Sequence, residues 1–227
     1  MRHLVVCSFF LMVAFSGCTE SEERPDPVTE VDALPYRDDR DPDLRFEVPV
    51  WEVGDTWRYE YVPEDHEEVC KGIPDPKPFL SRDEVVGEGT RHDLEAEPEI
   101  YRVRSFIHDC EGGPIGERDR DHLKAHLVPL DDDGSWEQKM LFPLEDGKRW
   151  RYHPPGGVEV TAEASHVPEY SWNGRTVQAW KVHLASEAAE ETFWFGVTAE
   201  NILFKESHRI TEEGKEPMGT VRLIDRS

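Results

Sequence analysis

Long hydrophobic runs are almost missing from these 227 residues; the one apolar stretch lies at the extreme N-terminus. Without such runs the chain is not a polytopic helical membrane protein. Basic charge is scarce too, with 26 Lys and Arg against 49 Asp and Glu and a net charge of −23. A phosphate-backbone binder needs a concentrated basic patch, and none is visible, so nucleic acid is not an expected partner. Catalytic signatures are also lacking. No serine stands in Gly-x-Ser-x-Gly, and neither His-Glu-x-x-His nor a phosphate-cradling glycine loop occurs. Carboxylates are so frequent that none stands out as a general acid with its base. No enzyme and no cofactor are therefore expected. Aromatic residues, in contrast, are plentiful (7 Trp, 6 Tyr, 10 Phe), which excludes a wholly disordered chain.

The N-terminus speaks for the compartment. Met1-Arg2-His3 gives a short positive start, and Leu4 to Phe15 is an apolar run of 12 residues. As a helix it would span about 18 Å, short of a bilayer core but right for the core of a signal peptide. Ser16 and Gly17 are small enough to admit a peptidase before Cys18, whose thiol is a nucleophile suited to acylation. Phe15-Ser16-Gly17-Cys18 resembles the lipobox of bacterial lipoprotein signals, with Phe15 where that signal usually carries Leu. The resemblance implies removal of residues 1–17 and a diacylglyceryl and palmitate anchor on Cys18. Thr19 after the cysteine, rather than Asp, implies delivery to the outer membrane.

Residues 18–44 follow as an expected disordered tether, with an edge strand as the alternative. From 19 to 44 the chain holds ten acids, three arginines and four prolines, too polar to offset the entropy of ordering. Of the four cysteines, Cys7 leaves with the signal and Cys18 takes lipid. Cys70 and Cys110 remain as an even pair in an oxidising compartment, and a disulfide between them is expected, with a metal pair or free thiols as alternatives.

Residues 45–227 read as one β-rich domain made of two pseudo-repeats, about 45–138 and 139–227. Val53-Gly54-Asp55-Thr56-Trp57-Arg58-Tyr59 recurs, 93 residues on, as Asp146-Gly147-Lys148-Arg149-Trp150-Arg151-Tyr152. Each copy is a glycine turn followed by aromatic rings two apart, which share one face of a strand. Further alternation marks Tyr101 to Arg104, His122 to Leu127 and Trp180 to Leu184, while Asn173-Gly174 and Asp133-Gly134 signal hairpins. Ser186 to Thr192 fits either one helical turn or a polar loop. The fold expected is all-β: an antiparallel meander of two related halves in one strongly curved sheet or half-barrel, with a β-sandwich as the alternative.

Phe142-Pro143-Leu144, Gly147, Trp150-Arg151-Tyr152, the Asn173-Gly174 hairpin and Ala179 to Val182 together resemble bacterial secreted β-meander lipoproteins that have no assigned activity. The likeness spans roughly residues 45–210. It implies a fold and a location only.

Three constellations invite chemistry. His122 and His126 could share a zinc ion on a helix, but on a strand they would stand about 13 Å apart, so a solvated polar face is expected instead. Asp131-Asp132-Asp133-Gly134 departs from a calcium loop at both ends, with Pro129 and Met140 at ligand positions, and reads as a turn. No metal site is expected. Trp57, Tyr59, Trp150, Tyr152, Trp180 and Trp194 fall on expected strands, as core or as the lining of a ligand groove. The expected function is a non-catalytic, lipid-anchored envelope protein that presents its β-domain to partners. A carrier of lipid or another apolar ligand is the alternative, and an envelope enzyme the second.

Overall fold

The structure, a computed structural model, describes residues 32–34, 44–94, 97–131, 137–154 and 157–227. The signal segment, Cys18, most of the tether and the Asp132 to Gly134 turn lie outside the described residues. In chain order the strands are β1 (Asp32–Leu34), β2 (Arg45–Phe46) and β3 (Thr56–Pro63), then a single helical turn α1 (His66–Val69). Next come β4 (Phe79–Thr90), β5 (Glu99–His108), β6 (Pro114–Leu123), β7 (Val128–Pro129) and β8 (Leu144–Glu145). The second half supplies β9 (Arg149–Tyr152), β10 (Val160–Trp172), β11 (Arg175–Ala185), β12 (Ala189–Gly196), β13 (Asn201–Thr211) and β14 (Gly214–Arg226).

Twelve of these strands form one antiparallel sheet that does not close, in the order β1-β9-β10-β11-β12-β13-β14-β3-β4-β5-β6-β7. Each half is a meander, and the halves join where the last strand, β14, pairs with the first long one, β3. β2 and β8 make a separate two-stranded pair.

The sequence repeat is a structural repeat. Gly54 and Gly147 both take positive φ, 103° and 81°, a conformation glycine adopts without cost. The Gly54 N–H donates to the Val85 carbonyl at 2.8 Å, and the Gly147 N–H donates to the Ala164 carbonyl at 3.0 Å. The return bonds match as well: Val85 N–H to Asp55 carbonyl at 3.0 Å, and Ala164 N–H to Lys148 carbonyl at 2.9 Å. Three residues after each glycine comes a tryptophan with no exposed surface. Its indole N–H donates to a loop carbonyl: Trp57 to Ala199 at 3.0 Å, Trp150 to Gln138 at 3.1 Å. A buried indole must place its N–H somewhere, so each tryptophan pins a crossing loop to its strand.

Curvature follows from who touches whom. Ile100, Leu123 and Val128, near one end of the strand order, share a core cluster with Trp150, Ala162, Trp180 and Phe193 near the other. Only a strongly curled sheet brings those strands together. Trp57, Tyr59, Tyr101, Val103, Ala179, Leu203 and Leu223 form a second cluster. β5 and β11 thus bury apolar side chains on both faces, Ile100 against Tyr101 and Trp180 against Ala179.

Three local expectations change. Asp32–Leu34, assigned to the disordered tether, pairs as an edge strand with β9, Asp32 opposite Arg151. The short apolar pair Ala33-Leu34 and an otherwise open arginine-bearing edge account for the pairing. The Leu123 to Leu127 alternation does not run on as a strand. β6 stops at Leu123, and Leu127, at φ 53°, closes a tight turn through its N–H to the Leu123 carbonyl at 2.7 Å. Ser186 to Thr192 divides: 186–188 form a short loop in which Ser186 Oγ accepts from the Ala188 and Ala189 N–H groups, and the rest opens β12.

Candidate functional site

Five of the six aromatic residues singled out in the sequence are core. Trp57, Tyr59, Trp150, Tyr152 and Trp180 are all buried, at 7% exposure or less. Burial pushes the Tyr59 and Tyr152 hydroxyls above their usual range, so both stay protonated. Trp194 is placed differently. It lies between Phe193 and Phe195, which face the first core cluster, and so points to the opposite face of β12. There it stacks on Tyr170 at 6.0 Å and tilts against Phe204 at 5.5 Å, with the Lys181 ammonium 5.6 Å from its ring. The six rings do not line one groove.

Cys70 and Cys110 are joined in a disulfide, with Cα atoms 5.9 Å apart. His66 lies beside them, and its ring nitrogen and the two sulfurs fall within 4.8 Å of one another. Bonded sulfurs have no thiolate to offer, so this trio is not a metal centre as it stands.

His122 departs from the solvated face expected for it. The ring sits 6.0 Å from Trp51, whose crossing segment covers it, and burial lowers its pKa to about 4. It is a neutral, packed histidine. Burial also lowers the pKa of His126, on the turn that follows.

Sequence reasoning missed two features. Trp51 precedes the first glycine turn and wedges between Trp57 at 4.8 Å and Tyr101 at 5.4 Å. Its backbone N–H donates to the Tyr101 hydroxyl at 3.1 Å and its indole N–H to the Glu200 carbonyl at 2.9 Å. The second is a half-buried ion cluster that ties the segment before β8 to β12 and β13. Lys139 meets Glu137 at 2.7 Å and Glu191 at 3.2 Å, and Lys205 meets Glu191 at 3.0 Å. Burial works to raise the Glu191 pKa, but the two ammonium groups outweigh it and hold the carboxyl down at about 2. For Lys205 burial prevails, and its pKa falls. Two acids and two lysines offset one another across these elements. No local pattern marked it, since Lys139 follows the polar Glu137-Gln138 and precedes the apolar Met140-Leu141.

Two open depressions share Arg82. The larger, about 620 Å³, is lined by Arg58, Leu80, His108 and Asp225 among others. The smaller, about 420 Å³, lies over Phe106, Ile107 and Pro114. Neither contains the aromatic residues picked from the sequence.

No protein-family model matches this chain, and no curated protein matches it. Two solved structures do. One is named a "putative exported protein with YmcC-like fold" from Bacteroides fragilis, with 10% identity over 81% of this chain and 100% of that one, at a TM-score of 0.42. The other is named a "putative lipoprotein" from Parabacteroides distasonis, with 7% identity over 80% of this chain and 97% of that one, at a TM-score of 0.40. At these scores and identities the likeness carries no argument about what this chain does.

Proposed function

We propose that this chain is a lipid-anchored protein of the bacterial cell envelope, sorted to the outer membrane, that presents its β-domain to partners and is not an enzyme. One observation carries the reading: the apolar run Leu4 to Phe15 ends directly in Ser16-Gly17-Cys18. Among the described residues no helix is long and apolar enough to cross a membrane. Several acyl chains at about 0.8 kcal/mol per buried CH₂ hold a protein of this size stably. The disulfide between Cys70 and Cys110 suits the same oxidising location.

The carrier alternative drew on the aromatic residues as a groove lining. Five are packed into core and the sixth faces elsewhere, so no observation favours it. The anchoring reading is tested by Cys18→Ala. The variant should accumulate unprocessed and leave the outer-membrane fraction; unchanged processing and fractionation would refute the reading.

A further inference from the structure

The disulfide accounts for Cys70 and Cys110, but not for the histidine held beside them. His66 and Cys70 stand four apart on α1, where the Cys70 N–H donates to the His66 carbonyl at 2.9 Å. Residues at that spacing share one face of a helical turn. Cys110 comes from the β5–β6 turn, which Asp109 braces: its Oδ1 accepts from the Glu111 and Gly113 N–H groups at 3.0 and 2.8 Å. The Lys77 N–H donates to the Cys110 carbonyl at 2.9 Å and ties the intervening segment to the same place.

The His66 ring is oriented as well as near. Phe79 meets it edge-on at 5.9 Å, and its Nε2 lies 3.0 Å from the Lys77 carbonyl oxygen. A carbonyl only accepts, so Nε2 carries the proton and Nδ1 keeps the lone pair. Metal-ligating histidines are held in this manner, one ring nitrogen donating to a backbone carbonyl and the other left for the ion.

The spacing suits a small, soft ion. A ring nitrogen of His66 and the two sulfurs lie within 4.8 Å of one another. Around tetrahedral zinc, two thiolates and an imidazole nitrogen stand about 3.5–3.8 Å apart. With the Cα atoms 5.9 Å apart, the sulfurs can part to that distance by turning about their Cα–Cβ bonds once the bond between them is broken. Cys70 and Cys110 are buried, so an ion there needs its charge neutralised, and two thiolates neutralise a divalent one. Thiolate and imidazole ligands also select zinc over calcium or magnesium.

We propose that His66, Cys70 and Cys110 form a zinc site in the dithiol form of the protein, so that zinc and the disulfide exclude one another at this position. A dithiol reductant of the thiol–disulfide exchange class attacks one sulfur and resolves through its second thiol. The Cys70–Cys110 bond breaks, the reductant's own disulfide forms, and two cysteine thiols remain. Zn²⁺ then takes both sulfurs as thiolates, their two protons pass to water, and Nδ1 of His66 supplies the third ligand. None of the α1 residues from His66 to Val69 is buried, so lifting that turn to admit the reductant sacrifices little packing.

The full chain in detergent micelles, reduced with a phosphine, would be titrated with Co²⁺ as a spectroscopic stand-in for zinc. One equivalent should bind with a sulfur-to-cobalt charge-transfer band that Zn²⁺ abolishes, and the oxidised chain should show no such band. Cys70→Ser with Cys110→Ser should show none either, which excludes Cys7 and Cys18 as its source. His66→Ala should weaken binding by at least about tenfold, while its oxidised form keeps the wild-type urea midpoint. X-ray absorption of the wild-type zinc form should give two sulfur neighbours at about 2.3 Å and nitrogen at about 2.0 Å. A band in the oxidised chain or the double serine variant, unchanged affinity in His66→Ala, or a zinc shell without two sulfurs would each overturn the proposal. The site goes beyond the reading of the protein as an anchored display domain, and a failure of the Cys18→Ala test would leave these readouts untouched.

Discussion

Trp57 and Trp150 stand at equivalent places in the two halves, each fully buried and each donating its indole N–H to a loop carbonyl. Replacing Trp150 with Phe leaves the buried Gln138 carbonyl without its donor and opens space beside Met140. A loss of about 2–4 kcal/mol is expected, measured as a lower urea midpoint with unchanged slope. These aromatic positions were legible because a period of two is a local property of the chain. Trp194 was not: in the run Phe193-Trp194-Phe195 every residue is apolar, and only tertiary contacts decide which face is which. Trp51, Lys139 and Glu191 were hidden for another reason, since each meets partners distant in sequence. Two of the titratable groups predict a pH profile. The folded-state pKa of His122, about 4, lies below its ordinary value of 6.5, so the unfolded chain binds the extra proton. Stability should fall as pH drops from about 6.5 to 4. Glu191, held at about 2, adds a further loss as pH falls below its ordinary value of 4.5. In His122→Gln the first decline should flatten while the second remains, and denaturant melts across that range would show it.

Strand irregularities carry much of the sheet's shape. β14 slips register against β13 near Gly219, which holds φ at 146°. A Cβ there would come within 2.9 Å of the Val62 carbonyl oxygen, so Gly219→Ala meets both strain and a clash with backbone. It should cost about 1–3 kcal/mol and lower the thermal midpoint, whereas Gly174→Ala, with open space around it, should cost less. The disulfide works at the same scale. It spans 40 residues and ties α1 to the β5–β6 turn. Cys70→Ser with Cys110→Ser should cost about 4 kcal/mol by loop entropy, read by chemical denaturation. The Asn173-Gly174 hairpin was legible in sequence because a two-residue turn with both φ values positive, 48° and 75°, needs that chemistry. The β6–β7 turn was misread as strand because Leu123, Ala125 and Leu127 imitate alternation. No pattern of side chains marks a short edge strand such as β1, whose partner lies more than a hundred residues away.

For the whole molecule, charge, anchor and sheet fit one account. The all-β class and the two related halves were readable in the sequence; the pairing of β14 with β3, which fuses those halves into one sheet, was not. That contact joins distant strands and leaves no local trace. A net charge of −23 opposes close approach of like copies, edges included. Mass spectrometry of the mature N-terminus from the membrane fraction puts the proposed lipid anchor to the test. A chain beginning at Cys18 and carrying a diacylglyceryl group on sulfur is expected. A mature chain beginning elsewhere, or an unmodified thiol on Cys18, would contradict it.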